Sequence, residues 1–150
     1  MPIVNGTASL ASLTGDTVDA VLGAAGLEAD HPLSSVEIRT LGPATKPLAS
    51  PADAVGGRST AHLLNVYAAP VPGLTDGERI AAVRGVLGAV QPWRTAVNLI
   101  NFVGRANHAD AVVHSWTPEQ NDRLDSIRAG HDPDGLFPYA RHGLSTPGAD

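Results

Sequence analysis

The chain reads as an α+β protein, an antiparallel sheet of at least three strands covered by helices on one face. Three observations carry this. Period-two stretches at residues 35–41, 60–69 and 95–103 read as strands. Capped segments with helical periodicity lie between and after them. The order strand, loop, strand, helix, strand, helix, helix suits an antiparallel sheet backed by helices.

Residues 1–13 set Ile3, Val4, Leu10 and Leu13 among small residues, and read as a short edge strand or a loose arm. Asp16 to Ala25 reads as a short helix with Val18, Val21, Leu22 and Ala25 on one face and Gly26 at its end. Its internal Gly23 costs about 1 kcal/mol of helix propensity against alanine. After a loop from Glu28 to Pro32, Ser35 to Leu41 alternates Val36, Ile38 and Thr40 with Glu37, Arg39 and Leu41. Gly42-Pro43 stops this strand. Residues 44–59 are rich in Pro, Gly and Ala and read as a surface loop.

Thr60 to Ala69 is apolar on both faces, which places it centrally in the sheet. Thr75 then caps a helix, with Glu78 at the capping-box position and Ile80, Val83, Leu87 and Val90 at helical spacing until Pro92. Thr95 to Val103 is expected as the third strand, and Asn107 to His114 as a short helix. Thr117, Pro118 and Gln120 open a last helix, with Leu124 and Ile127 on one face and Gly130 as its stop. Asp132-Pro133-Asp134-Gly135 reads as a turn, after which Leu136 and Phe137 are expected to fold back as apolar anchors. Residues 143–150 read as a tail.

A length of 150 residues with 43 % hydrophobic and 17 % charged residues suits a single domain, 1–150, with its own core. A net charge of −5, with Arg scattered and Lys46 the only lysine, argues against a nucleic-acid surface. No apolar run is long enough for a membrane span, and no basic-then-apolar start suggests a secretory signal. A cytoplasmic location is expected. With no cysteine there is neither a disulfide nor a thiolate nucleophile. The six histidines do not pair at ligand spacing, so no metal site is expected. No Gly-x-Ser-x-Gly elbow or Gly-x-Gly-x-x-Gly loop is present.

Five polar residues are the site candidates. Asn98 and Asn101 interrupt an apolar stretch, where a buried amide needs either a structural partner or a ligand. Tyr67 carries a titratable hydroxyl that could serve as an acid or a hydrogen-bond donor. Glu37 and Arg39 share a strand face. They are either a surface pair worth at most about 1 kcal/mol or part of the substrate side of the sheet.

The ordered set Asn101-Phe102, Trp116, Asn121, Arg123-Leu124, Asp132-Pro133 and Leu136-Phe137, with Glu37-Ile38-Arg39-Thr40-Leu41-Gly42 upstream, resembles the C-terminal part of berberine-bridge-enzyme-like FAD-linked oxidases. The resemblance covers roughly Val18 to Phe137 and implies the substrate side of such an enzyme. It implies FAD as the cofactor, a small-molecule substrate, and Asn101 facing ligand or flavin. The family's substrate-facing tyrosine is replaced by Leu99, which can neither take nor give a proton. The family's upstream FAD-binding region has no counterpart in these residues. The chain is therefore expected to hold no cofactor in isolation and to need an FAD-binding polypeptide. The alternative is a cofactor-free small-molecule-binding protein or enzyme derived from that domain, acting as a homodimer that covers the exposed sheet.

Overall fold

The computed structural model describes residues 3–42, 55–58, 60–107 and 114–137. Its elements run β1 (Val4–Leu10), α1 (Gly15–Ala25), β2 (Ser35–Thr40), β3 (His62–Ala68), α2 (Asp76–Ala89) and α3 (Pro118–His131), with short 3-10 turns between α2 and α3. The sheet is antiparallel in the order β1-β3-β2, so β3 is the central strand, as its two apolar faces required.

The third strand is β1 and not residues 95–103. In β1, Val4, Gly6, Ala8 and Leu10 alternate with Asn5, Thr7 and Ser9, and every residue of it but Asn5 is buried. The segment from Arg94 joins the backbone ladder at the bridge Leu10↔Arg94 and at the Thr95 amide, which donates to the Ser9 carbonyl at 2.8 Å. The chain then leaves the ladder. The Asn98 amide donates to the His114 carbonyl at 2.7 Å, and Ile100–Phe102 forms a 3-10 turn. The loop at residues 55–58 lies against this segment. Gly57, with φ +73, lies so close to the Asn98 backbone that a Cβ would sit 2.7 Å from the Asn98 carbonyl carbon. That close approach takes the place of a strand partner. The expected helix from Asn107 to His114 falls largely outside the described residues.

Each helix begins as its sequence dictates. Thr14, Thr75 and Thr117 all make reciprocal capping boxes, with Thr17, Glu78 and Gln120. The first helix thus starts at Gly15 on the Thr14 cap, one residue before Asp16. The last runs one residue past Gly130. The helix-side core joins Val4, Ala8, Leu10, Leu64, Val66 and Ala68 of the sheet to Val21, Val83, Val86, Leu87 and Val90. Burying each such side chain contributes about 1.5–3 kcal/mol.

Two apolar stripes dock less completely than their spacing suggests. In α1, Val21 is buried, but Val18 and Leu22 are 38 % and 58 % exposed. No residue of α3 is buried. Leu136 and Phe137 do not fold back: they are 75 % and 70 % exposed. Their backbone amides instead donate to the Asp132 carboxylate at 2.6 and 3.1 Å, so the turn is held by its polar atoms. Among the described residues no helix is long and apolar enough to cross a membrane.

At the start of α2, Arg79 is wholly buried. It donates to the Ala68 carbonyl at 3.2 Å and pairs with Asp76. Asp76 also pairs with Arg105 at 2.6 Å, which ties the segment after residue 95 to the helix. The hydrogen bond from Arg105, assisted by Arg79, holds the Asp76 carboxyl below the usual carboxylate range, and bonds from Thr75 do the same for Glu78. A depressed carboxylate contributes stability that is present above its unfolded pKa and lost as pH falls through its folded pKa. Melting temperature should therefore drop as pH falls below about 4. Asp76→Asn should melt lower at neutral pH and show a shallower acid limb, as measured by circular dichroism melts across that range.

Candidate functional site

Strand register sets out the face of the sheet opposite α1 and α2 as three rows. Asn5, Tyr67 and Ser35 form the first, Thr7, Asn65 and Glu37 the second, and Ser9, Leu63 and Arg39 the third. Seven of these nine positions carry small or charged polar side chains. Thr7, Ser9 and Asn65 are nonetheless buried. A strand face that is both buried and polar differs from the dry packing on the helix side, because each polar atom there requires a partner.

The segment following α2 shapes this face. The Leu99 amide reaches the Ser9 hydroxyl at 3.4 Å, and the Phe102 ring lies under the Arg39 guanidinium, 5.3 Å from its centroid. Gly104 then turns the chain around the outer edge of β1, in contact with the Asn5 carbonyl and Gly6. Ala106 finishes on the helix side, fully buried, with its carbonyl accepting from Arg84 Nε at 2.7 Å.

Glu37 and Arg39 form a direct pair, Oε1 to Nε at 2.6 Å, with both side chains more than a third exposed. That hydrogen bond and the Glu37 charge raise the Arg39 pKa, with a smaller push from Tyr67, so the guanidinium is a cation at every working pH. Only its Nε is engaged by Glu37. Tyr67 stands beside them, half-buried, one row from Glu37. Asn65 Nδ2 is buried and has no hydrogen-bond partner. An orphaned amide donor costs about 1–3 kcal/mol.

Glu37, Arg39 and Tyr67 are thus on one surface. Asn101 is exposed in the 3-10 turn Ile100–Phe102. Asn98 lies apart. Its side chain is buried and its Oδ1 unpartnered, at a groove of about 530 Å³ shared with Gln91, Arg94, Thr95, Ala96 and His114. Leu99 is buried, with its amide against Ser9 of β1. Asn65 and Asn5 join the polar face without having been singled out from the sequence. The signal that could have found Asn65 is an amide flanked by Leu63 and Tyr67 on a strand buried on both faces.

No protein-family model matches the chain, and no curated protein matches its sequence. Among solved structures, a chitooligosaccharide oxidase shares the fold, with a TM-score of 0.64 and 16 % identity over 90 % of this chain. The match spans 31 % of the oxidase, so this chain corresponds to about a third of that protein's length. At that identity the likeness establishes the fold of part of an oxidase of this kind.

The close passage at Gly104 makes the polar face dependent on a missing side chain. A Cβ there would clash with the Asn5 carbonyl and the Gly6 Cα, both backbone atoms that cannot yield cheaply. Gly104→Ala should destabilise by about 3 kcal/mol and lift Phe102 off Arg39. Urea denaturation and the ring-current shifts of the Arg39 side chain by NMR would measure the two effects.

Proposed function

We propose that this chain is the substrate-side module of a berberine-bridge-like, FAD-dependent oxidoreductase, working with a polypeptide that holds the FAD. The observation that carries the reading is a buried polar sheet face with an unsatisfied donor, Asn65 Nδ2, on the fold of one third of an oxidase. In this assembly the face built from Tyr67, Asn65, Glu37 and Arg39 looks toward substrate and flavin.

The residues suit the substrate better than the cofactor's phosphates. Asn65 Nδ2, buried in the face, and the terminal nitrogens of Arg39 are donors whose chemistry would suit the oxygens of a small molecule or the rim of a flavin ring. Glu37 fixes the Arg39 side chain through its Nε. Tyr67, with its hydroxyl on the same face, would take up or deliver a substrate proton in place of the tyrosine that Leu99 replaces. Asn101, exposed before Phe102, would touch the ligand from the rim. FAD, when bound by the partner, would supply the hydride acceptor.

A second reading has one observation in its favour. The groove at Arg94, Asn98 and His114 carries an unpartnered acceptor, Asn98 Oδ1, and could seat a polar small molecule without any flavin. Either way the chain would work in the cytoplasm.

The purified chain should be colourless. Captured from its native host, it should bring down an FAD-containing polypeptide whose flavin is bleached by substrate only when both chains are present. In that assembly Asn65→Ala should lower kcat/KM about tenfold, the loss of one hydrogen bond to substrate. Stoichiometric FAD on the chain alone would overturn the reading, as would an assembly whose turnover ignores Asn65.

A further inference from the structure

The two edges of the sheet are treated differently. The outer edge of β1 is closed by the Leu10↔Arg94 bridge, by the Thr95 amide on the Ser9 carbonyl and by the passage of Gly104. No described residue pairs with the outer edge of β2. The register and the bond from the Leu41 amide to the Ala61 carbonyl, at 2.9 Å, place Arg39, Glu37 and Ser35 in the hydrogen-bonded pairs with β3. Val36, Ile38 and Thr40 therefore turn their backbone N–H and C=O groups outward. This six-residue edge is β-branched at each outward position and carries neither Pro nor Lys to blunt it.

We infer that a second copy of this chain docks here, β2 against β2, antiparallel about a two-fold axis through Ile38. The charges select the partner and the register. Centring on Ile38 sets Glu37 opposite Arg39 of the second copy, and Arg39 opposite its Glu37, while Val36 faces Thr40. Ile38 pairs with Ile38 and Val36 with Thr40 through the outward backbone groups. Glu37 and Arg39 fall at the non-hydrogen-bonded positions, where cross-strand side chains come closest. Arg39 can serve both carboxylates, because Nε alone is used by its own Glu37.

The same pairing covers apolar surface. On the helix side a groove of about 490 Å³ runs between α1 and β2, lined by Val21, Leu22, Ala25, Leu33, Val36 and Ile38. Leu22 is 58 % exposed there. The joined sheet has the order β1-β3-β2-β2-β3-β1, and its polar face sets the Glu37 and Arg39 of both copies side by side. Each copy thus sets its charged groups beside those of the other. This inference does not depend on the oxidase reading.

Sedimentation velocity at tens of micromolar tests it. The wild-type chain should be a dimer. Glu37→Arg alone and Arg39→Glu alone should each weaken association at least tenfold, because each sets like charges opposite one another. An equimolar mixture of the two variants should dimerise again, and so should the double variant Glu37→Arg/Arg39→Glu, since both restore opposite charges across the two-fold. Circular dichroism of each variant confirms the fold. A monomeric wild type, a dimer that survives Glu37→Arg, or a mixture that stays monomeric would overturn the inference.

Discussion

The structure depends on β3 being paired along both edges. A strand in that position has no free backbone group, so its side chains alone decide what each face becomes. Leu64, Val66 and Ala68 point one way and require a dry cover, which α1 and α2 supply. Leu63, Asn65 and Tyr67 point the other way, and the neighbouring strands bring Thr7, Ser9, Glu37 and Arg39 alongside them. A shift of one residue in either pairing would exchange the two sets. The division into a packed face and a polar face is thus a matter of register.

The segment after α2 makes the arrangement asymmetric. It meets β1 at Thr95, covers part of the polar face through Leu99 and Phe102, rounds the edge at Gly104 and is tied down by Arg84 and by the Arg105–Asp76 pair. One edge of the sheet is closed by the chain itself, and the β2 edge is left with outward donors and acceptors. Asp76 has a double part, since the same carboxylate balances the buried Arg79 and holds Arg105. A buried guanidinium without its carboxylate is costly, so helix start and edge cover stand together.

What was legible in the sequence was local. The capping boxes at Thr75 and Thr117, the start of α2 and the turn at Asp132 follow from side chains within a few residues of one another, whereas the box of Thr14 with Thr17 was not read and α2 stops at Ala89, short of the Gln91 its spacing suggested. The centrality of β3 was legible because both of its faces are mostly apolar. The strand expected at 95–103 was not formed, since its alternation of apolar and polar residues serves a wrap over two surfaces. It lies against Gly57, which is 41 positions before Asn98 in the chain. In β1, small residues hid a period-two pattern that pairing with β3 makes plain. Leu136 and Phe137 looked like anchors by composition, yet the Asp132 carboxylate holds their amides and leaves their side chains outside. Glu37 and Arg39 could be paired by eye. The empty donor on Asn65 could not, because it depends on which neighbours the register supplies.

On the reading proposed above, the polar face of the sheet meets substrate, and its most exacting feature is the Asn65 Nδ2 donor, which has no acceptor among the described residues. Two-dimensional NMR of the side-chain Nδ2 protons of Asn65 tests this most directly, in the isolated chain and after addition of the FAD-containing polypeptide captured with it. The account predicts a resonance that shifts and gains protection from exchange in the complex, while the methyls of Val83 and Leu87 on the helix side stay in place. An Asn65 resonance unmoved by the partner would contradict it.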